Sequence, residues 1–113
     1  MPDFTYPKIC RLRRSRDYIK LKQMGCKYST PHFVLLIYEN FLSHPRLGLT
    51  VSRTVGNAVV RNKVKRQLKE FFRCHKYLFK NYDYSFIARR SAGRLSSQNV
   101  KNELTDLLAK MDL

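Results

Sequence analysis

Apolar positions recur along this chain in two different periods, and the switches between them mark its elements. Tyr18 and Leu21 stand at helical spacing within Arg16 to Met24, where Ser15 serves as N-cap and Gly25 as the stop. Lys27 to Ser29 reads as a short strand that ends near Pro31. His32 to Glu39 (HFVLLIYE) is apolar and β-prone and predicts a strand buried on both faces. Asn40 to Pro45 is a turn, and Arg46 to Ser52 (RLGLTVS) alternates as another strand. From Gly56-Asn57 the period becomes helical. At about 100° per residue, Val60, Val64, Leu68, Phe71 and Phe72 gather on one face of a helix that is expected to run to about Tyr77. Tyr84 to Ala88 (YSFIA) is a fourth strand. Ser96 caps a last helix whose apolar stripe is Val100, Leu104, Leu107, Leu108 and Met111. Residues 1 to 14, broken by Pro2 and Pro7, predict an irregular basic arm. The order is helix, three strands, helix, strand, helix, with no repeat, low-complexity segment or linker. It predicts a single α+β domain spanning residues 1–113.

Charge changes what the middle helix is for. Asn62, Lys65, Arg66, Lys69 and Arg73 gather on a face away from its apolar stripe, and Glu70 is the only acid between residues 54 and 82. A helix that only needs solubility mixes both signs along its surface. The chain as a whole carries 23 Lys and Arg against 8 acids, a net charge of +15. Such an excess opposes compaction unless a polyanion neutralises it, so nucleic acid is the expected partner. The charge is also patterned: residues 8 to 27 hold eight cations and one acid, whereas residues 28 to 45 hold no Lys or Arg.

Other chemistries find little support. No apolar run approaches the ~20 residues of a membrane span, and Met1 to Ile9 lacks the form of a signal peptide. Cys10, Cys26 and Cys74 have neither metal-knuckle nor redox-pair spacing, and they read as reduced thiols in a cytoplasmic protein. His32, His44 and His75 are scattered, and Cys74-His75 is not zinc spacing. The acids are Asp3, Asp17, Glu39, Glu70, Asp83, Glu103, Asp106 and Asp112. They form no cluster of the kind metal-dependent nucleases use; Glu103 and Asp106 lie close together but beside an apolar stripe, where solubility explains them. No Ser, Cys or His is embedded in a nucleophile motif. No catalytic residue and no metal ligand is therefore expected in the protein itself.

The stretch RLGLTVSRTVGNAVVRNKVKRQLKEFFR resembles the signature region of the bacterial ribonuclease P protein component. Its parts are the strand Leu47-Gly48-Leu49-Thr50-Val51-Ser52, the turn Gly56-Asn57-Ala58-Val59 and the helix start Arg61-Asn62-Lys63-Val64-Lys65-Arg66. The likeness extends to Arg13–Gly25 as the first helix, Phe33-Val34-Leu35 as the central strand and Asp83–Arg90 as the late strand. This resemblance implies a ribosomal-protein-like fold in which the basic helix crosses over in the left-handed sense. Physics alone would favour a right-handed crossover in ~98% of cases. It also implies a division of labour. The RNA subunit is the ribozyme and uses Mg²⁺ to remove the 5′ leader of precursor tRNA. The protein binds that RNA and the leader, and alone is inactive.

Roles follow by the same resemblance. Arg53, Arg61, Asn62, Lys63, Lys65, Arg66, Lys69 and Arg73 match the surface that faces the ribozyme RNA. Arginine suits two-pronged phosphate contacts, and lysine supplies point charge. Asn62 is suited to an RNA 2′-hydroxyl, to a metal-bound water or to a local cap. Tyr18, Lys22, Phe33 and Leu36 match the cleft that takes the single-stranded leader, where aromatics stack and cations follow the backbone. Tyr18 also reads as a half-buried core residue. The chain departs from the family pattern in three places: Lys22 and Leu36 where aromatics are usual, and Thr54 where a basic residue is usual. The main alternative is a ribosomal or other RNA-binding protein on the same scaffold. A DNA reader is disfavoured because Asn62 and Gln67 are the helix's few base-reading side chains. A membrane-surface helix has only Phe71-Phe72 in its favour.

Overall fold

The computed structural model describes residues 10–111. Helix α1 (Ser15–Met24) leads into β1 (Cys26–Ser29), β2 (Phe33–Glu39) and β3 (Arg46–Thr50). Helix α2 (Ala58–Cys74), β4 (Tyr82–Ala88) and α3 (Ser97–Lys110) follow. The strands form one sheet in the order β1-β2-β4-β3. β1 with β2 and β2 with β4 are antiparallel, while β3 pairs parallel to β4 and α2 makes the crossover between them.

Local chemistry explains most boundaries. Gly56 has φ +156°, a conformation that glycine adopts without a Cβ penalty. Asn57 then caps α2, its Oδ1 accepting from Val60 N–H at 3.0 Å. Ser96 caps α3 in the same way through Asn99 N–H. Ser15, expected as the cap of α1, is instead its first residue. Arg14 precedes it with extended backbone and no side-chain cap, and its carbonyl accepts from Asp17 N–H at 3.0 Å. Helix α2 stops at Cys74 rather than near Tyr77, because His75 leaves helical geometry and a 3-10 turn, Lys76–Leu78, takes over. Strand β4 starts two residues earlier than expected, since Tyr82 and Asp83 find partners in Glu39 and Tyr38.

The predicted arm is also more ordered at its end than its composition implied. Residues 1–9 of it lie outside the described residues. Arg11 bridges to Leu47, and Leu12 N–H donates to the Leu47 carbonyl at 2.9 Å. The outer edge of β3 is thereby partly covered.

The two faces of the sheet are unequal. Phe33, Leu35 and Ile37 of β2 are buried with Tyr84 and Phe86 of β4 against Val64, Leu68, Phe72, Val100 and Leu104. Phe79 packs edge-on to Phe72 and Tyr84, each at 4.8 Å between ring centroids. The alternate residues Val34, Leu36 and Tyr38 are only half-buried, so β2 is not buried on both faces as its composition predicted. The reason is coverage. Helices α2 and α3 share one face, and α1 alone lies over the other, where Lys20 Nζ sits 4.9 Å from the centre of the Tyr38 ring.

Two polar clusters lock this arrangement. Arg46 grips Asp83 with two donors, Nε at 2.8 Å and Nη2 at 2.6 Å, and reaches Asp17 of α1 at 3.5 Å. Asn40 Nδ2 donates to the same Asp83 at 3.0 Å. The Asp83 hydrogen bonds raise the Arg46 guanidinium pKa against the effect of its burial. The second cluster ties α3 to the β1–β2 turn. Glu103 accepts from Thr30 Oγ1 at 2.5 Å and His32 N–H at 3.0 Å, and lies 2.6 Å from His32 Nδ1. Glu103 is thus an anchor, not the solubilising charge its sequence neighbourhood implied. Burial would raise its carboxyl, but these hydrogen bonds and His32 outweigh that and lower it. The sign follows: a depressed folded-state pKa contributes stability above the ordinary Glu range, and that contribution is lost as pH falls through the folded value. Glu103→Gln is expected to cost about 1–3 kcal/mol near neutral pH and to flatten the acid side of a melting-temperature profile. An unchanged profile would remove this role.

Candidate nucleic-acid interface

The cations of α2 do not form one uniform face. Lys69 and Arg66 are exposed and Lys65 is half-buried, as their place opposite the apolar stripe requires. Arg61, matched by resemblance to the surface facing the RNA, lies beside the apolar stripe instead. It is half-buried, and its Nε is inaccessible and has no hydrogen-bond partner. The helical angle explains this, since Arg61 falls beside Leu68 and Phe72 on the wheel. Lys63 donates to the Gly93 carbonyl at 3.2 Å, so part of its role is to hold the segment before α3. Arg73 pairs with Glu70 at 3.2 Å. Asn62 is exposed and its side chain makes no hydrogen bond among the described residues, while the capping role open to it belongs to Asn57. Arg53 is exposed at the start of a 3-10 turn, Arg53–Val55. Thr54, in the place of a basic residue, is tied to Ser52 by a hydroxyl contact of 2.7 Å.

Two hollows flank α2. One, of about 230 Å³, lies between the end of the arm, Tyr18, β3 and α2, and is lined by Arg11, Arg13, Gly48, Lys65 and Lys69. Its floor depends on a close approach: a Cβ on Gly48 would lie 2.5 Å from the Tyr18 hydroxyl. That hydroxyl donates to the Leu12 carbonyl at 3.0 Å. Burial, then the nearby Asp17, raises the Tyr18 pKa above its ordinary value. Tyr18 therefore holds the arm against β3 as well as bordering the hollow. The second hollow, of about 430 Å³, lies between α2 and α3 on the far side.

The four residues matched to the leader cleft divide. Leu36 is half-buried on the α1 side of the sheet, Tyr18 is half-buried on α1 and Lys22 is exposed there. Phe33 is 0% exposed and belongs to the core beneath α2 and α3. Strand side chains alternate, so Phe33 and Leu36 face opposite ways, and Phe33 offers no ring to a ligand. The alternation that excludes Phe33 admits Tyr38, two residues beyond Leu36, with Lys20 above its ring. Register adds Lys27 and Ser85 to the row of Leu36. Period-two reading of HFVLLIYE would have found Tyr38. Nothing in the sequence would have placed exposed Arg89, Arg90 and Arg94 beside the start of α2, where the 3-10 turn Arg90–Arg94 packs.

The acids nearest these surfaces are already engaged. Asp17 and Asp83 meet at Arg46, and Glu70 meets Arg73. Among the described residues no group of three or more His, Cys, Asp or Glu is placed to hold a metal ion, and no helix is long and apolar enough to cross a membrane.

Comparison with known proteins agrees in sequence and in shape. A family model described as Ribonuclease P matches residues 6–112. The ribonuclease P protein component of Syntrophus aciditrophicus is 40% identical over 111 residues, covering 97% of this chain and 93% of that protein. That of Geotalea uraniireducens is 36% identical, with 98% of each covered. The crystallised RNase P protein of Staphylococcus aureus superposes with a TM-score of 0.83 at 33% identity, covering 88% of this chain and 93% of that one. The Thermotoga maritima protein also gives 0.83, at 32% identity, covering 91% and 98%.

Proposed function

Since this chain belongs to the ribonuclease P protein family, we propose that its α2 surface holds the ribonuclease P RNA while its α1–sheet surface receives the 5′ leader of precursor tRNA. The chain is the protein part of an endoribonuclease whose other part is that RNA. The observation that carries the residue assignment is the division of cations around α2. Arg66, Lys69 and Asn62 stand exposed on it, and Lys65 with Lys69 joins Arg11 and Arg13 around the smaller hollow. Several cations on one surface can each meet a phosphate, which makes binding strongly salt-dependent. Arg53 and the exposed Arg89, Arg90 and Arg94 extend the same surface at the start of α2.

The leader runs over the α1 side of the sheet. Leu36 and Tyr38 give it an apolar and aromatic wall, and Lys20, Lys22 and Lys27 follow its phosphates. Tyr38 supplies the stacking ring that Leu36 lacks, one pleat further along β2. On this reading the hydrolytic Mg²⁺ is held by the RNA, which agrees with the pairing of Asp17, Asp83 and Glu70 to arginines in the protein. On this reading the protein acts in the cytoplasm.

The test combines purified protein, ribonuclease P RNA and precursor tRNA. Protein alone is expected to leave the substrate intact, and the complex is expected to cleave at lower Mg²⁺ than RNA alone. Within the complex, Tyr38→Ala should weaken leader-bearing tRNA by roughly tenfold and leave mature tRNA unaffected, the scale of one lost base stack. Chelator-sensitive cleavage by RNA-free protein would sink the division of labour. Equal weakening of both tRNAs would move the leader off this face.

A further inference from the structure

The larger hollow, between α2 and α3, has no part in the surfaces assigned above beyond Arg66, which borders both. We propose that it takes a single unpaired nucleotide of RNA, its base inside and its phosphate at the rim; the proposal rests on the reading of ribonuclease P RNA as partner.

Four features converge there. The first is size: about 430 Å³ falls within the about 300–1,000 Å³ usual for small-molecule sites. The second is an aromatic wall, since Phe71 and His75 both line the hollow. His75 stacks on Phe71 at 4.6 Å between centroids and 18° between planes, with Nδ1 held 2.9 Å from the Phe71 carbonyl. A base has a π-face for such a surface whatever its identity. The third is charge on both walls. Exposed Arg66 comes from α2 and exposed Lys101 from α3, while Glu70, the one lining acid, is paired with Arg73. The rim is therefore net positive and suited to one phosphate.

The fourth is an unmet hydrogen bond. Gln67 borders the hollow and is 8% exposed, the one amide of α2 that is buried. Its Nε2 donates to the Leu95 carbonyl at 3.1 Å and approaches Ser97 Oγ at 3.4 Å. A carbonyl only accepts, so the amide nitrogen must face Leu95 and the oxygen must turn away. That Oε1 is buried and has no donor. Buried acceptors in folded proteins are nearly always satisfied. An exocyclic amino group or a ribose hydroxyl entering the hollow is a donor of the required kind for a Gln67 side chain that turns its Oε1 toward it, and Gln98 at the α3 end adds a second amide beside it. A peptide carboxylate would serve the cations but bring no ring to the Phe71–His75 wall.

Cys74 provides the readout, because it is exposed and lines this hollow, while exposed Cys26 lies on β1 outside it. In the full chain both thiols are alkylated with iodoacetamide, and peptide mass spectrometry follows the two rates. Adenosine 5′-monophosphate at millimolar concentration is expected to slow Cys74 several-fold and leave Cys26 unchanged. Inorganic phosphate at equal ionic strength should leave both unchanged. Gln98→Ala and Lys101→Glu, both at exposed positions, should remove the protection without altering the melting temperature. Equal Cys74 rates with and without the nucleotide overturn the proposal. Protection by phosphate equal to that by the nucleotide also overturns it and leaves an anion patch. Affinity for ribonuclease P RNA is then compared for Lys101→Glu and Lys69→Ala. Weakening of both supports the proposal. If Lys69→Ala weakens binding and Lys101→Glu does not, the pocket fails and the partner stands. If neither does, the reading of the partner itself fails.

Discussion

Asp83→Ala is expected to destabilise the protein by about 3 kcal/mol or more, the scale of stranding a largely buried charge without its partner. Asp83 is 6% exposed, and it joins three elements: β4 through its own backbone, β3 through Arg46 and the β2–β3 turn through Asn40. Removing the carboxylate leaves Arg46 with only Asp17, 3.5 Å away. The cost arises from the orphaned guanidinium, so a second substitution should relieve it. Arg46→Met in the Asp83→Ala background is expected to recover a good part of the loss, because an apolar pair no longer has a charge to solvate. Urea unfolding followed by far-ultraviolet circular dichroism measures both variants. A loss under about 1 kcal/mol for Asp83→Ala would place this bridge with ordinary surface pairs.

The triple variant Lys65→Ala, Arg66→Ala and Lys69→Ala is expected to fold normally and to lose ribonuclease P RNA affinity on the order of a hundredfold at low salt, with each charge-assisted contact contributing modestly. The salt dependence is the sharper measure. Three lost phosphate contacts should flatten the log–log slope by about 2 to 3, at about 0.7–0.9 per contact. Filter binding across a salt series reads both quantities. An unchanged slope would mean that these side chains face solvent in the complex. The triple omits Arg61, because its half-buried position beside Leu68 and Phe72 would confuse lost contacts with lost packing.

What the sequence made legible, and what it hid, follow from the range of the interactions. Asn57, Ser96 and Gly56 act on their own neighbours, so the starts of α2 and α3 could be read directly. Val64, Leu68, Phe71 and Phe72 were legible as core because α2 repeats its period over 17 residues. Phe33 was misplaced because a run of six apolar residues hides its own alternation, and only the coverage of each sheet face reveals which residues point inward. Glu103 read as a solubilising charge and Asp83 as an isolated acid. Their partners Thr30 and Arg46 lie 73 and 37 residues away in the chain, beyond any local pattern. The turn Arg90–Arg94, which reaches α2 through Lys63 and Gly93, was invisible for the same reason. Gln67 looked like one polar residue among many, and its burial depends on α3, which no window around it contains.

The strand order has a kinetic consequence. β4 is the last strand in sequence, yet it sits between β2 and β3 and bonds to both. A chain emerging from the ribosome builds the β1–β2 hairpin early, because its contacts are local, but β3 has no strand to pair with until residues past 82 appear. Until then α2 exists with its apolar stripe and its cations both unopposed, in a cell rich in polyanions. Assembly of the sheet is therefore a late, concerted step that joins distant segments, of the kind that slows folding. Nascent chains stalled before Tyr82 should remain protease-sensitive throughout β3 and α2, and those released past Ala88 should acquire protection in both at once.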